Sequence, residues 1–597
     1  MRYTFTSHLI NFLRTVQSNT ILPISQQKSK KKSKKRMTAQ KPMPSLWKPK
    51  PSWQEVAARA RARIDNAIPS SYLAAPEYLP KTPEEYVLDL PERSGVLSAR
   101  ELEITGLNAW ELLPKLADKS FSAVEVTEAF CKRASVAHQV TNCLALVLFK
   151  SALERAKELD EYLERTGKPI GPLHGLPISI KEHIEVEGTP ATAGFIAWVD
   201  DVSKNDALVV KILRDAGAIF HVKTANPQAL MSIETDSNIY GRTTNPYNRN
   251  LSSGGSSGGE GSLLAMRGSA LGIGTDMGGS IRVPASFSGI YGLKPAIARN
   301  PHGGLAGNYG GMESIVGVVG PLTHCVQDLR LFQEVVLASE PWNIEPSLVR
   351  MPWNPEGKDM QLPKKLKIGI IWDDGVVQPH PPVMRALKTV VDALKKAGHE
   401  VIDWDTSSHD DIQSTLWQMF FLDGCKEVFD VFREGNEAPV KCIEFALKGG
   451  PYSTPRHYTV EESWKINSER TKQQTAYASK WNETGVDFII APSNPAAATA
   501  HDETGWDGYT GVWNGLDHTA VVFPVTSVQQ TDTYENFPRL RKEPLGERDL
   551  HYIDAYKNGS SKYANAPVAL QLITRKHTEE KALKALELVE GTIGSSR

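Results

Sequence analysis

Residues 250–295 read NLSSGGSSGGEGSLLAMRGSALGIGTDMGGSIRVPASFSGIYGLKP. The stretch is dense in Gly and Ser, the composition of a flexible linker. Two features exclude that reading. Its glycines are interleaved with apolar runs, Leu263–Met266, Leu271–Ile273 and Ile290–Leu293, which a solvated linker has no reason to carry. A structureless loop of this length inside an enzyme-sized domain is also uncommon unless it is functional. The segment is therefore expected to fold and to carry chemistry.

Working outward, the flanks have α/β grammar. Leu176–Ile180 is an apolar run of the buried-strand type, ending at Lys181. Lys204–Asp206 opens a helix that turns Leu208, Ile212 and Leu213 inward; Gly217 stops it, and Ala218–Val222 follows as a strand. The pattern recurs downstream. Lys367–Trp372 (KIGIIW) reads as a strand, and a helix follows with Val383, Leu387, Val390, Val391 and Leu394 at helical spacing. Gly398 ends that helix before the strand His399–Trp404. Strand–helix–strand units with short Gly joints imply a parallel or mixed sheet covered by helices. Near the start, residues 54–68 place Val56, Ala57, Ala60, Ile64 and Ile68 on one helical face.

The chain has 597 residues, 40% hydrophobic and 23% charged, which excludes a disordered, collagenous or disulfide-scaffold protein. Sixty-eight basic against 69 acidic residues exclude a polyanion binder, so no nucleic acid partner is expected. The five cysteines are widely spaced without a CxxC, which argues for reduced thiols and against a Cys-ligated zinc. The near-neutral total hides an asymmetry. Residues 1–54 contain no acid, and Lys28–Arg36 reads KSKKKSKKR, a like-charge block expected to stay solvated. Three segments follow: a basic extension over 1–53, a helical arm over 54–94 and the main globular domain over 95–597. No run approaches the roughly 20 apolar residues of a membrane helix, so no stable membrane anchor is expected. The expected compartment is cytoplasmic, or mitochondrial or nuclear if residues 1–36 are an address.

Several nucleotide and hydrolase templates fail on the 250–295 segment. No G-x-x-x-x-G-K-[ST] occurs, and the G-x-G at Gly272–Gly274 lacks its third glycine. Gly254–Gly258 matches G-x-S-x-G, but a nucleophile elbow needs a strand before it, and Asn245–Ser253 is polar and turn-forming. A fourth template accounts for more. Gly255–Glu260 (GSSGGE) followed by Gly274–Pro284 (GTDMGGSIRVP) resembles the defining stretch of the amidase signature family. Gly175–Glu182 (GLPISIKE) resembles the strand that ends in that family's catalytic lysine, with further blocks at Lys223–Pro227, Gly241–Pro246 and Pro567–Gln571.

The resemblance implies a single large α/β domain, a twisted mixed β-sheet with helices on both faces. It implies Ser280 as nucleophile, Ser256 as a bridging serine after a cis peptide bond, and Lys181 as terminal base. It also implies an oxyanion site at Met277, Gly278, Gly279 and Ser280. Physical chemistry supports each role. A serine hydroxyl is a weak nucleophile that needs a base within reach. A neutral amine can be that base, provided burial lowers a lysine from about 10.4 to about 7, a shift that desolvation supplies. One hydroxyl can accept and donate at once, so Ser256 can relay the proton. Bare glycine backbone lets neighbouring N–H groups converge on one oxygen.

Asp276 and Arg282 flank the loop and are read as an ion-paired support. His183 and His518 are read as packing residues, and Trp506, Tyr509 and Trp513 as core spaced suitably for a pocket wall. No metal or cofactor motif is present. The partners expected are a small-molecule amide and, as the one oligomer admitted, a homodimer. Within the family, the Trp/Pro-rich start after Met37 and the Glu260 block look most like fungal acetamidases, which act on small aliphatic amides. Fatty-acid amide hydrolases and a non-catalytic scaffold are the alternatives.

Overall fold

The computed structural model describes residues 51–452 and 455–594; the expectations for the basic extension over 1–50 lie outside them. The first helix, Trp53–Ala67, is started by Ser52, whose side chain accepts from Glu55 N while the Glu55 carboxylate returns to Ser52 N. It buries Val56, Ala57, Ala60 and Ile64, the face its spacing predicts.

Eleven strands form one mixed sheet: β1 (Leu144–Val147), β2 (Pro177–Lys181), β3 (Ile219–Thr224), β4 (Leu271–Asp276), β5 (Tyr291–Lys294), β6 (Val318–Thr323), β7 (Lys367–Ile370), β8 (Glu400–Asp403), β9 (Phe488–Pro492), β10 (Thr519–Ser527) and β11 (Pro567–Thr574). Their order is β1-β3-β2-β4-β6-β5-β10-β11-β9-β7-β8. Both units read from sequence are parallel pairs, β2 with β3 and β7 with β8. Helices cover both faces. Pro381–Lys396 and Glu579–Gly594 bury Leu387, Val390, Leu583 and Leu586 in one core with residues of β7, β9, β10 and β11. Ala123–Thr141, Phe149–Thr166 and Leu208–Asp215 pack into a second core with β2, β3 and β4, whose Ile180 and Ile273 lie on the same face as Val521. On the opposite face, Leu264 of Gly258–Ala265 and Ala285 of Arg282–Phe287, with Ile281 just before it, pack against Leu322 and Val522.

One boundary differs from the sequence reading. The helix expected from Lys204–Asp206 begins at Leu208, and it buries Val209 and Val210 beside Ile212 and Leu213 while Leu208 is half-buried. Ala207 is the N-cap, and the Asp206 carboxylate, instead of capping the first turn, accepts from Arg214 Nε at 2.8 Å and from Glu187 N at 2.9 Å.

The 250–295 segment is buried almost throughout. It supplies the helix Gly258–Ala265, strand β4, the helix Arg282–Phe287 and strand β5. No strand precedes Gly254, so the nucleophile-elbow geometry is absent. The register decides where the chemistry falls. β2 runs parallel to β4 with Ile178 beside Leu271 and Ile180 beside Ile273, so Lys181 and Asp276 end neighbouring strands on the same side. Carboxyl ends of adjacent parallel strands are where open α/β sheets place ligands.

Candidate active site

Lys181, the last residue of β2, is fully buried. Its Nζ lies 2.7 Å from Ser256 Oγ and 2.9 Å from Thr275 Oγ1. Burial lowers its pKa to about 7, with Asp276 and Glu260 pulling weakly the other way. Near neutrality, then, the amine is as often a proton acceptor as a cation. Glu182 beside it points elsewhere: its carboxylate accepts from Thr192 N and Ala193 N at 2.6 and 3.1 Å.

Ser256 follows a cis Gly255–Ser256 peptide and is buried. Gly255 admits no side chain, since a Cβ there would lie 2.6 Å from Glu234 N and from Ser232 O. Ser280 stands on the loop after β4, held by Ser257 N donating to its carbonyl at 3.1 Å. Its hydroxyl makes no hydrogen bond among the described residues and lines a pocket. Lysine and bridging serine are thus joined, while the second serine is not closed onto the first. Hydrogen bonds of this kind are often long before substrate binds.

Asp276 organises the loop. Its Oδ1 accepts from Gly279 N (2.9 Å), Arg282 Nη2 (2.9 Å) and Asn514 Nδ2 (3.0 Å); its Oδ2 accepts from Ile281 N (3.1 Å) and Arg282 Nε (3.0 Å). Burial opposes that charge, yet the Arg282 guanidinium overrides it and holds the carboxyl well below the usual range. Arg282 also donates to Thr510 O at 2.8 Å and to Gln571 Oε1 at 3.4 Å, tying the loop to the helix Gly508–Gly515 and to β11. The flanking charges are thus a fully buried ion pair. One expectation needs correction. The Gly279 N–H is taken by Asp276, leaving Met277, Gly278 and Ser280 as the backbone donors without an acceptor among the described residues. Gly279 has φ +143°, and a Cβ would fall 2.4 Å from Thr510 Oγ1.

The pocket holding Ser280 encloses about 610 Å³ of space, part of it open to solvent. Leu230, Ile233, Met277, Trp417, Phe420 and Phe445 make its walls apolar. Ser232, Thr504 and Asp507 also line it, and Asp507 is the carboxylate among them. Its Oδ1 accepts from Gln413 Nε2 at 2.7 Å and Trp417 Nε1 at 3.1 Å, and Oδ2 takes no donor among the described residues. A methyl group built on Gly278 would sit 3.6 Å from that oxygen. Burial raises the Asp507 pKa to about 6. Of the aromatic residues read from sequence, Trp506 lines the pocket, whereas Tyr509 and Trp513 belong to the core. His518 lies among Tyr477, Trp481 and Trp513, away from the pocket.

The Amidase family model matches residues 125–583. The chain belongs to the amidase signature family. Over 91% of its length it is 40% identical to an acetamidase of Emericella nidulans, of which the match covers 99%. An acetamidase of Aspergillus oryzae matches at the same identity over 92% of this chain and all of its own. Among solved structures, a fatty acid amide hydrolase superposes with a TM-score of 0.85 at 32% identity, covering 91% of this chain and 95% of that one. The protein is an amidase-family hydrolase of amide C–N bonds. Among the described residues, no helix is long and apolar enough to cross a membrane.

Sequence reasoning missed Thr275, although it lies inside the quoted GTDMGGS block, because a motif gives position and not contact. It also missed Asp507, the Gln413 amide that holds it, and the walls from Trp417 and Phe420. Asp507, Trp417 and Phe420 reach the pocket from segments with no local motif, and only the fold brings them together.

Proposed function

We propose that this amidase hydrolyses small aliphatic primary amides, acetamide among them, to carboxylate and ammonia through a serine acyl-enzyme. One observation carries the reading: a fully buried lysine with a pKa near 7 in hydrogen-bond contact with Ser256, beside the loop that bears Ser280. Ser280 Oγ attacks the carbonyl carbon and gives its proton to Ser256 as Ser256 gives its own to Lys181 Nζ. The N–H groups of Gly278 and Ser280, with that of Met277, receive the oxyanion. The relay then returns the proton to nitrogen, the C–N bond breaks and ammonia leaves. Water attacks the ester by the same relay run again, which releases the carboxylate and restores Ser280.

The acetamidase relatives support a small acyl group, and so does Asp507. A carboxylate in the wall opposes a long apolar chain, because a chain laid over Asp507 Oδ2, which has no donor among the described residues, takes that oxygen from water with nothing in exchange. The apolar walls and the fatty acid amide hydrolase likeness favour a second reading, longer acyl amides. Turnover of acetamide through long-chain primary amides decides between them. The first reading requires kcat/KM to peak at short chains; a peak beyond about six carbons overturns it.

Asp507 supplies a sharper check. Asp507→Val is expected to raise kcat/KM for hexanamide relative to acetamide by about tenfold, the worth of roughly two newly tolerated methylenes. In the parent protein the same ratio should rise as pH falls through about 6, where the carboxylate becomes protonated. The dependence of Lys181 cancels in the ratio. Covalent labelling by a fluorophosphonate, lost in Ser280→Ala, tests the nucleophile itself.

A further inference from the structure

His183, two residues beyond Lys181, is buried and pinned at both ring nitrogens. Nδ1 lies 2.8 Å from Ala306 O, and Nε2 lies 2.9 Å from Thr275 Oγ1. The backbone repeats the first contact, with Ala306 N donating to His183 O at 2.8 Å. A carbonyl oxygen can only accept, so Nδ1 carries the ring proton and Nε2 of the neutral ring must accept. Thr275 therefore donates its single hydroxyl proton to His183. Towards Lys181 it presents only lone pairs, and it accepts an N–H from Nζ at 2.9 Å.

That assignment has a consequence for the amine. A neutral lysine has two N–H groups and one lone pair. Among the described residues, the hydroxyls hydrogen-bonded to Nζ are those of Ser256 and Thr275. With the Thr275 proton committed to His183, the lone pair has one hydroxyl donor left, Ser256. We infer that His183, acting through Thr275, is a positioning residue that reserves the Lys181 lone pair for the Ser256 proton. The inference rests on the reading of Lys181 as base.

The ring stays neutral in the working range: burial, then the neighbouring Lys181, lowers its pKa to about 3. The titratable groups acting on this chain are Asp276 and Glu260 at Lys181, and Lys181 and Lys223 at His183. Glu260 is itself raised to about 8 by burial, and it is held by Ser179 Oγ and Thr224 Oγ1 at 2.6 and 2.7 Å.

Without His183, the Thr275 hydroxyl can turn and donate to the neutral amine. That blocks the productive hydrogen bond and stabilises the uncharged lysine. Two changes should therefore occur together. His183→Asn keeps an N–H for Ala306 O but does not reach Thr275. Its plateau kcat/KM for a primary amide should fall about 10- to 100-fold, the scale of a misdirected catalytic group. The midpoint of its acid limb should move to lower pH. His183→Gln restores an acceptor towards Thr275 and should stay within about threefold of the parent on that same scale. In a Thr275→Val background His183→Asn should add less than about twofold, because the residue acts through that hydroxyl. An equal loss in both backgrounds, or a lower plateau with an unmoved limb, would leave His183 a packing residue and overturn the inference. Substantial activity in Lys181→Met would instead overturn the reading of the base, so the two failures are distinguishable.

Discussion

Lys181→Met is expected to lose activity and gain stability in the same molecule. The loss follows from the relay: without the terminal acceptor, attack by Ser280 has no destination for its proton, and general-base removal costs about 10²–10⁴-fold in kcat/KM. The gain follows from the shift that makes the lysine useful. Folding takes the amine from 10.5 to about 7, chiefly by burial, so below pH 7 the fold carries a penalty of about 5 kcal/mol. Met fills a similar volume without that penalty. It does abandon the Ser256 and Thr275 hydroxyls, at about 1 kcal/mol for each hydrogen bond. Relief of the burial penalty outweighs those two losses, and a net gain of about 2–3 kcal/mol is expected at pH 6.

The sign fixes the pH window. A lysine whose pKa is depressed on folding binds fewer protons folded than unfolded between about 7 and 10.5, so its penalty fades across that range. The variant's advantage in melting temperature should therefore shrink above pH 7, vanish near about pH 9, where the remaining penalty equals the two lost hydrogen bonds, and reverse towards 10.5. Activity of the parent runs the same way, with kcat/KM falling about tenfold per pH unit below 7 and levelling above. A variant that is inactive and also less stable at pH 6 would mean that the buried amine is not the strained group described here.

How much of this was legible in the sequence follows from which interactions are local. The apolar run before Lys181 announced a buried strand, and a lysine at its end has no water to keep it charged. The interleaved glycines and apolar runs of 250–295 announced close packing, and residues such as Gly255 and Gly279 stand where a side chain would collide with backbone or with Thr510. The helices at Pro381–Lys396 and Trp53–Ala67 followed from their spacing. Contacts between distant segments were not legible. Arg282 meets Asn514 and Thr510 across more than 200 residues, and His183 meets Thr275 across 92. Nor does a motif reveal hydrogen-bond arithmetic. The four backbone donors expected around Gly279 became three because Asp276 needed one of them.

Asp276→Asn should be the most damaging change to the fold of the site. The parent carboxylate accepts from three backbone N–H groups, Asn514 and two N–H groups on the Nε–Nη2 edge of the Arg282 guanidinium, all out of contact with water. An amide offers one acceptor oxygen and turns an NH2 towards groups that are themselves donors. Arg282 would be left as a buried cation without its counter-charge, at a cost of about 3–5 kcal/mol. That loss should barely change between pH 5 and 8. The carboxyl is depressed on folding, so its contribution is complete above the ordinary carboxylate pKa and fades only in stronger acid. This behaviour is the reverse of Lys181→Met, whose effect fades towards alkaline pH. Arg282→Met separates the two partners: it removes the cation but leaves Asp276 with Gly279, Ile281 and Asn514, so the loop loses an anchor and keeps its shape. It should therefore cost less than Asp276→Asn in stability and retain more of the parent activity. Equal losses from both would mean that the guanidinium, rather than the carboxylate that gathers the loop's N–H groups, holds Ser280 in place.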